Sequence, residues 1–229
     1  MTIPQLEVLY EDNHLLAVCK PAGVLTMGDQ TGDITMVDIA REHLRAKYDK
    51  PGNVFVGVVH RLDRPVSGVL LFARTSKAAA RLSDQFRRGT VHKIYRAIVD
   101  GTVEQSEGEF TDWLLKDRQQ NVVSCVSEDT PGAQKSVLRY RVVARQHGRL
   151  HLEVEPVTGR SHQIRVQLSS RGLPIVGDTK YGSTIRTGGR VALHAEMLQF
   201  DHPTLTERRS VSAELPGEFD TGRSSRRSG

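Results

Sequence analysis

Cysteine is scarce in this 229-residue chain: Cys19 and Cys125 are the only two, and they form no CxxC pair. A disulfide framework and a cysteine zinc site are thereby excluded, and a reducing cytoplasm is the expected setting. No apolar run reaches the roughly eighteen residues of a membrane span. The opening MTIPQLEVLYEDNHLL carries acidic residues where a secretory leader carries basic ones, and it has no apolar core. Also missing are the phosphate-cradling GxxxxGK(S/T) loop, GxGxxG, the GxSxG elbow and paired histidines at zinc spacing. Nucleotide-loop, serine-hydrolase and zinc chemistry lose their usual signatures, and no metal is expected.

What is present is positive charge in two places. The net charge is +5, but residues 60–96 hold nine Lys/Arg against two Asp/Glu, residues 135–171 hold eight against two, and the remaining stretches sum to −8. Concentrated basicity of this kind suits a polyanion such as nucleic acid. The chain is long enough to bury a core without covalent staples, and one domain over residues 1–216 is expected. The small polar residues 217–229 read as a disordered tail.

Strand and helix signals are mixed without regular alternation, which predicts an α+β fold with a largely antiparallel sheet and flanking helices. HLLAVCK (14–20) reads as a strand running into the Lys20-Pro21-Ala22-Gly23 turn. Val37, Ala40, Leu44 and Tyr48 repeat at helical spacing, with Asp33 or Thr35 as cap and Pro51-Gly52 as stop. VFVGVV (54–59) and GVLLFA (68–73) read as strands, which puts Asp63 in the loop between them. Ser76 is the expected cap of a helix carrying Ala79, Leu82 and Phe86, closed by Arg87, Arg88 and Gly89. HKIYRAIVDG (92–101) alternates as a strand, with Lys93, Tyr95, Ala97 and Val99 on one side. The acidic, turn-rich residues 101–134 read as an insertion of short strands or loops. Residues 136–144 and 149–155 read as a hairpin turning near His147-Gly148. Ile164 and Leu168 share a helix face, with Arg165 beside it and Gly172 ending the helix.

The distinctive stretch is HRLDRPVSGVLLFA, beginning at His60, where Asp63 lies between Arg61 and Arg64. By itself an RLDR tetrapeptide is most simply a loop ion pair, and a lone histidine such as His60 or His162 is more often structural than a ligand. Taken with its companions, the stretch resembles the signature of the RluA-type pseudouridine synthases. KPAGV (20–24) is similar to that family's first motif, HKIYRAIVDG to the segment carrying its active-site tyrosine, TGRSHQIRVQLSSRGLPIVGDTKYG (158–182) to its third motif, and ALHAEMLQFDHP (192–203) to its closing strand. The five blocks stand in family order over residues 7 to 205.

The resemblance implies the pseudouridine synthase catalytic-domain fold, an RNA substrate such as rRNA or tRNA, and no cofactor. It implies Asp63 as the catalytic carboxylate, Arg165 paired with it, and Tyr95 stacking on an extruded uracil. It further implies that Arg61 braces the gap left in the RNA. Around these, His60, Arg64, Lys77, Arg81, Arg87, Arg88, Arg160 and His162 are the expected RNA-facing set. Val66 replaces a threonine common in the family, which removes a hydroxyl from the signature loop. The small N-terminal RNA-binding module of several relatives has no counterpart in the sequence, and a cytoplasmic monomer is expected. Two alternatives stand beside the synthase reading. One is a catalytically silent RNA-binding or RNA-folding protein on the same scaffold, and the other is a hydrolytic N-glycosidase.

Overall fold

The computed structural model describes residues 6–29, 31–49 and 51–219. In chain order the strands are β1 (Val8–Glu11), β2 (Leu15–Lys20), β3 (Gly57–Val58), β4 (Ser67–Ala73), β5 (His92–Asp100), β6 (Glu107–Asp117) and β7 (Val122–Val126). They continue as β8 (Gln134–Gln146), β9 (Arg149–Pro156), β10 (Leu193–Asp201) and β11 (Arg208–Ser212). Three helices accompany them: α1 (Met36–Tyr48), α2 (Ser76–Arg88) and α3 (Gln163–Ser169). The strands form one eleven-stranded sheet in the order β1-β2-β4-β10-β5-β9-β8-β6-β7, with β11 beside β10 and β3 beside β4. Every pairing is antiparallel except β4 with β10. The expected α+β class and largely antiparallel sheet are therefore observed.

Strand alternation sorts the buried side chains between two faces. Leu16, Val18, Leu70, Phe72, Ala97, Val99, Leu152 and Val154 join α1 and α3 in the main core. Leu15, Ala17, Val69, Leu71, Ala73, Leu198 and Phe200 pack instead with Ala78 and Leu82 of α2. Thr35, not Asp33, caps α1: its hydroxyl accepts the Asp38 N–H while the Asp38 carboxylate accepts the Thr35 N–H. The left-handed Asp49 ends this helix ahead of Pro51. Thr75 caps α2 in place of the expected Ser76, because its extended backbone lets the hydroxyl accept from Ala78 N–H.

Three further expectations are corrected. Residues 101–134, expected as short strands or loops, hold strands, and the first of them is long: β6 pairs with β8 from Glu107↔Arg141 to Leu114↔Gln134 and carries β7 on its other edge. Of residues 54–59 only Gly57–Val58 joins the sheet. The tail does not begin at 217, since Gly217–Phe219 forms a 3₁₀ turn that buries Phe219 in the main core. The rest of the proposed tail, residues 220–229, lies outside the described residues, as does the start of the N-terminal stretch.

Gly68 explains one feature of the signature. Its φ is +114°, and a Cβ there would lie 2.2 Å from the Ala195 carbonyl oxygen, so only glycine lets β4 approach β10. Val66, two residues earlier, is buried in the main core, where a methyl fills apolar space.

Candidate active site

Asp63 is positioned by its neighbours in the chain. Leu62 exchanges hydrogen bonds with Thr26: Thr26 Oγ1 donates to the Leu62 carbonyl at 2.9 Å and accepts the Leu62 N–H at 3.2 Å. Arg64 is tied twice to Gly23 of the 20–24 loop and once to Asp33. Its carbonyl accepts from Gly23 N–H at 2.7 Å, its Nε donates to the Gly23 carbonyl at 3.0 Å, and its Nη2 pairs with Asp33 at 2.9 Å. Lys20, fully buried, donates through Nζ to the carbonyls of Pro21, Val24 and Arg64. Burial lowers its pKa from 10.5 to about 8, with Asp63 acting against that fall. The segment like the first motif is thus a clamp on the loop that carries Asp63.

The partner of Asp63 comes from 102 residues further along the chain. Arg165 Nη1 donates to Asp63 Oδ2 at 2.9 Å. The other edge of the same guanidinium grips Asp178, Nε to Oδ2 at 2.7 Å and Nη2 to Oδ1 at 2.8 Å, and its cation lies 4.9 Å from the Tyr181 ring. Arg165 and Asp178 are buried, whereas the Asp63 side chain keeps 30% of its surface exposed. Burial opposes the charge on Arg165, but hydrogen bonding and charge from Asp178, then Asp63, raise its pKa above the ordinary value. One planar fork therefore bridges a closed carboxylate and an open one.

The helix bearing Arg165 is held from all sides. Ile164 and Leu168 enter the main core, Val166 packs with Leu114, Val123 and Tyr181, and Gln167 Nε2 donates to Asp112 and to the Phe110 and Ser136 carbonyls. At its start, Gln163 Oε1 accepts from Thr158 Oγ1 and Arg160 N–H, while Nε2 donates to the Val137 carbonyl. His162 precedes it in the left-handed conformation. Its Nε2 is 3.9 Å from Asp63 Oδ1 and its Nδ1 is 2.6 Å from the Tyr181 hydroxyl. Burial lowers the His162 pKa, with Arg165, Lys180 and Lys116 adding to the fall and Asp63 opposing it.

Tyr95 sits mid-strand between Val154 of β9 and Ala195 of β10. Burial raises its phenol pKa and the Asp63 charge raises it further, so the ring is neutral and within the electrostatic reach of that carboxylate. Asp63, Arg165, Tyr95 and His162 thus come together. Arg61 is exposed and has no ion pair among the described residues; Arg160 is exposed beside His162, with Nε donating to the Lys135 carbonyl.

The remaining cations lie elsewhere. His60 is a correction to the RNA-facing set: its Nε2 accepts the Leu71 N–H at 2.9 Å and its ring stacks on Phe86 at 4.7 Å. Burial, with help from Lys93, lowers its pKa to about 3, which leaves a neutral structural ring with no charge for phosphate. Lys77 and Arg81 belong to α2, on the opposite face of the sheet, and Arg81 donates to the Pro203 carbonyl. Arg87 and Arg88, at the end of that helix, share the single carboxylate of Asp84. That end adjoins the 158–160 loop, since Gly89 approaches Val157 and Lys93 Nζ donates to the Thr158 carbonyl at 3.1 Å. A cavity of about 440 Å³ lined by Arg96, His151, Glu153 and Phe219 does not include Asp63. Among the described residues no cluster of His, Cys, Asp or Glu is arranged to hold a metal ion.

Sequence reasoning missed Lys20, Asp178, Gln163 and Tyr181 as parts of the site. Asp178 carries no spacing signal of its own: the need for it, a buried counter-charge to a buried arginine, shows only once Arg165 is seen to be buried.

Residues 14–170 match the family model described as RNA pseudouridylate synthase. Among curated proteins the chain is 36% identical over 209 residues to the dual-specificity RNA pseudouridine synthase RluA of Vibrio cholerae, covering 87% of this chain and 79% of the relative. It is 35% identical over 237 residues to tRNA pseudouridine synthase C of Haemophilus ducreyi, covering 94% and 93%. Among solved structures, the human RNA pseudouridylate synthase domain containing 4 superposes with a TM-score of 0.77 at 24% identity, covering 93% of this chain and 90% of that one, which supports the fold.

Proposed function

This chain belongs to the RNA pseudouridylate synthase family and is therefore an isomerase, and from that premise we propose that Asp63 converts uridine to pseudouridine in folded ribosomal or transfer RNA. The reaction breaks the bond from ribose C1′ to uracil N1, turns the base and joins C1′ to C5. The C5 proton leaves to solvent and N1 regains one, so no electron is lost and no cofactor is required. The carboxylate either attacks the sugar carbon or removes a ribose proton while the base is detached. Either role needs an anion in a site closed by RNA, and Arg165, itself fixed by Asp178, supplies the opposite charge. That bridged guanidinium is the observation that carries the reading.

Tyr95 offers a neutral aromatic face beside Asp63 for a uracil swung out of the RNA. Arg61, exposed and uncommitted, is placed to fill the gap the base leaves. Arg87, Arg88 and Arg160 contact phosphates, joined by Lys116 and Lys180, whose fields already reach His162. The protein works as a monomer in the cytoplasm.

RNA labelled with tritium at uracil C5 tests this. The enzyme releases label to water without freeing uracil, and Asp63→Asn does not release it. RNA binding with no release from any cellular RNA pool would leave a binding protein in its place, and free uracil would reveal a glycosidase.

A further inference from the structure

The two oxygens of Asp63 keep different company. Oδ2 accepts from Arg165 at 2.9 Å, a charge-assisted bond to a side chain that is itself locked. Oδ1 faces His162 Nε2 across 3.9 Å, longer than a hydrogen bond. The imidazole is held in place, since the Gln163 bonds fix the turn before α3 and the His162 side chain is only 9% exposed. Its tautomer is set by a second contact. Tyr181 Oη accepts the Val123 N–H at 3.0 Å and lies 2.6 Å from His162 Nδ1. With the backbone amide donating to it, the phenol has its own proton to give to Nδ1. The histidine proton then resides on Nε2, the nitrogen that looks at Asp63.

We propose that His162 is a positioning residue for Asp63: Tyr181 holds its N–H toward Oδ1, and Oδ1 is the oxygen that engages the ribose while Arg165 retains Oδ2. The proposal deepens the synthase reading and rests on it. An oxygen bound at 2.9 Å to a buried guanidinium is committed in direction and electron density. An oxygen facing one neutral N–H at longer range is oriented yet free to exchange that contact for substrate. Five groups face the imidazole: Asp63 on its loop, Arg165 on α3, Lys116 at the end of β6, and Lys180 and Tyr181 on the turn after Asp178. Burial first, and then the three cations among these groups, favour the neutral ring. Protonation in acid would convert it to an imidazolium clamped on Oδ1.

The test is single-turnover tritium release from C5-labelled RNA as a function of pH, with RNA affinity measured in parallel. His162→Ala loses the orienting group, so its rate constant at pH 7 falls about tenfold to a hundredfold with RNA affinity unchanged. His162→Gln places an amide N–H where Nε2 was and does not titrate. It therefore recovers most of the neutral-pH rate, and its acid limb moves to lower pH than in the wild type. Tyr181→Phe, which frees the tautomer, falls between the two. Equal rate constants and acid limbs for wild type and both His162 variants would overturn the proposal. So would a loss confined to RNA affinity and its salt dependence, which would make His162 a phosphate contact. If His162→Ala fails to fold, the acid limb of His162→Gln decides alone. A wild-type protein that releases no label would instead defeat the synthase reading, and this inference with it.

Discussion

Arg165 owes its place to Asp178. The inner carboxylate takes two of its hydrogen bonds and leaves a third for Asp63. Asp178→Ala therefore strips a buried cation of its closed-side partner, a change that costs about 3–5 kcal/mol and is read as a lowered urea midpoint. Arg165→Lys keeps the charge but offers no planar fork. Its tritium-release rate falls at least tenfold while RNA binding holds. His60 carries a different consequence. Its folded pKa of about 3 lies below the ordinary 6.5, so between those values the unfolded chain binds the extra proton. The stability contributed by the neutral ring is full above pH 6.5 and declines as pH falls toward 3. Unfolding free energies at pH 7 and pH 4.5 check this, and a His60→Gln protein shows the smaller drop. At this scale the pairing of Asp63 with Arg165 was legible, because the resemblance implied it and opposite charges explain it. Asp178, Tyr181 and Gln163 were not, because a hydrogen-bond partner has no spacing rule when its mate arrives from another loop.

Elements built on apolar alternation or helical spacing were readable. β5 carries the first and Val37, Ala40 and Leu44 of α1 the second, these three buried as their spacing requires, while β2 and β4 were readable as continuous apolar runs. β6 was not readable, because EGEFTDWLLKD is half-exposed along most of its length and buries only Leu114 fully. Exposure alternates from Glu107 to Asp112, but Gly108 and Asp112 occupy inner positions on either side of Phe110, so the sequence shows no apolar period of two. Its importance is nonetheless direct, since Asp112 and the Phe110 carbonyl hold Gln167 of α3. The contact of β4 with β10 is the other sensitive joint. Gly68→Ala drives a Cβ against the Ala195 carbonyl in a backbone conformation that suits glycine. It lowers the melting temperature and the turnover together, since β4 follows Asp63 and β10 borders Tyr95. A Gly148→Ala control, with open space around its Cβ, strains only the β8–β9 turn and leaves turnover unchanged.

Across the whole molecule, charge is divided by function. The ion pairs of Arg96 with Glu153 and Glu196, and of Arg141 with Glu153, commit these arginines to carboxylates of β9 and β10. Arg87 and Arg88 outnumber their one carboxylate and stand beside the 158–160 loop. Replacing both with alanine weakens RNA binding at low salt and reduces the slope of log affinity against log salt by about 1 to 2. The rate at saturating RNA is unchanged. Domain class and basic character were legible from composition and pattern. Which cations are committed to carboxylates required the pairing geometry.

The bond between Asp63 and Arg165 also joins early and late parts of the chain. During synthesis the carboxylate leaves the ribosome long before its guanidinium and the turn at Asp178 have been made. Until that second half arrives, the carboxylate lacks both the guanidinium and the closed wall that Asp178 builds behind it, so this part of the pocket is completed only after residues 165–178 have been made.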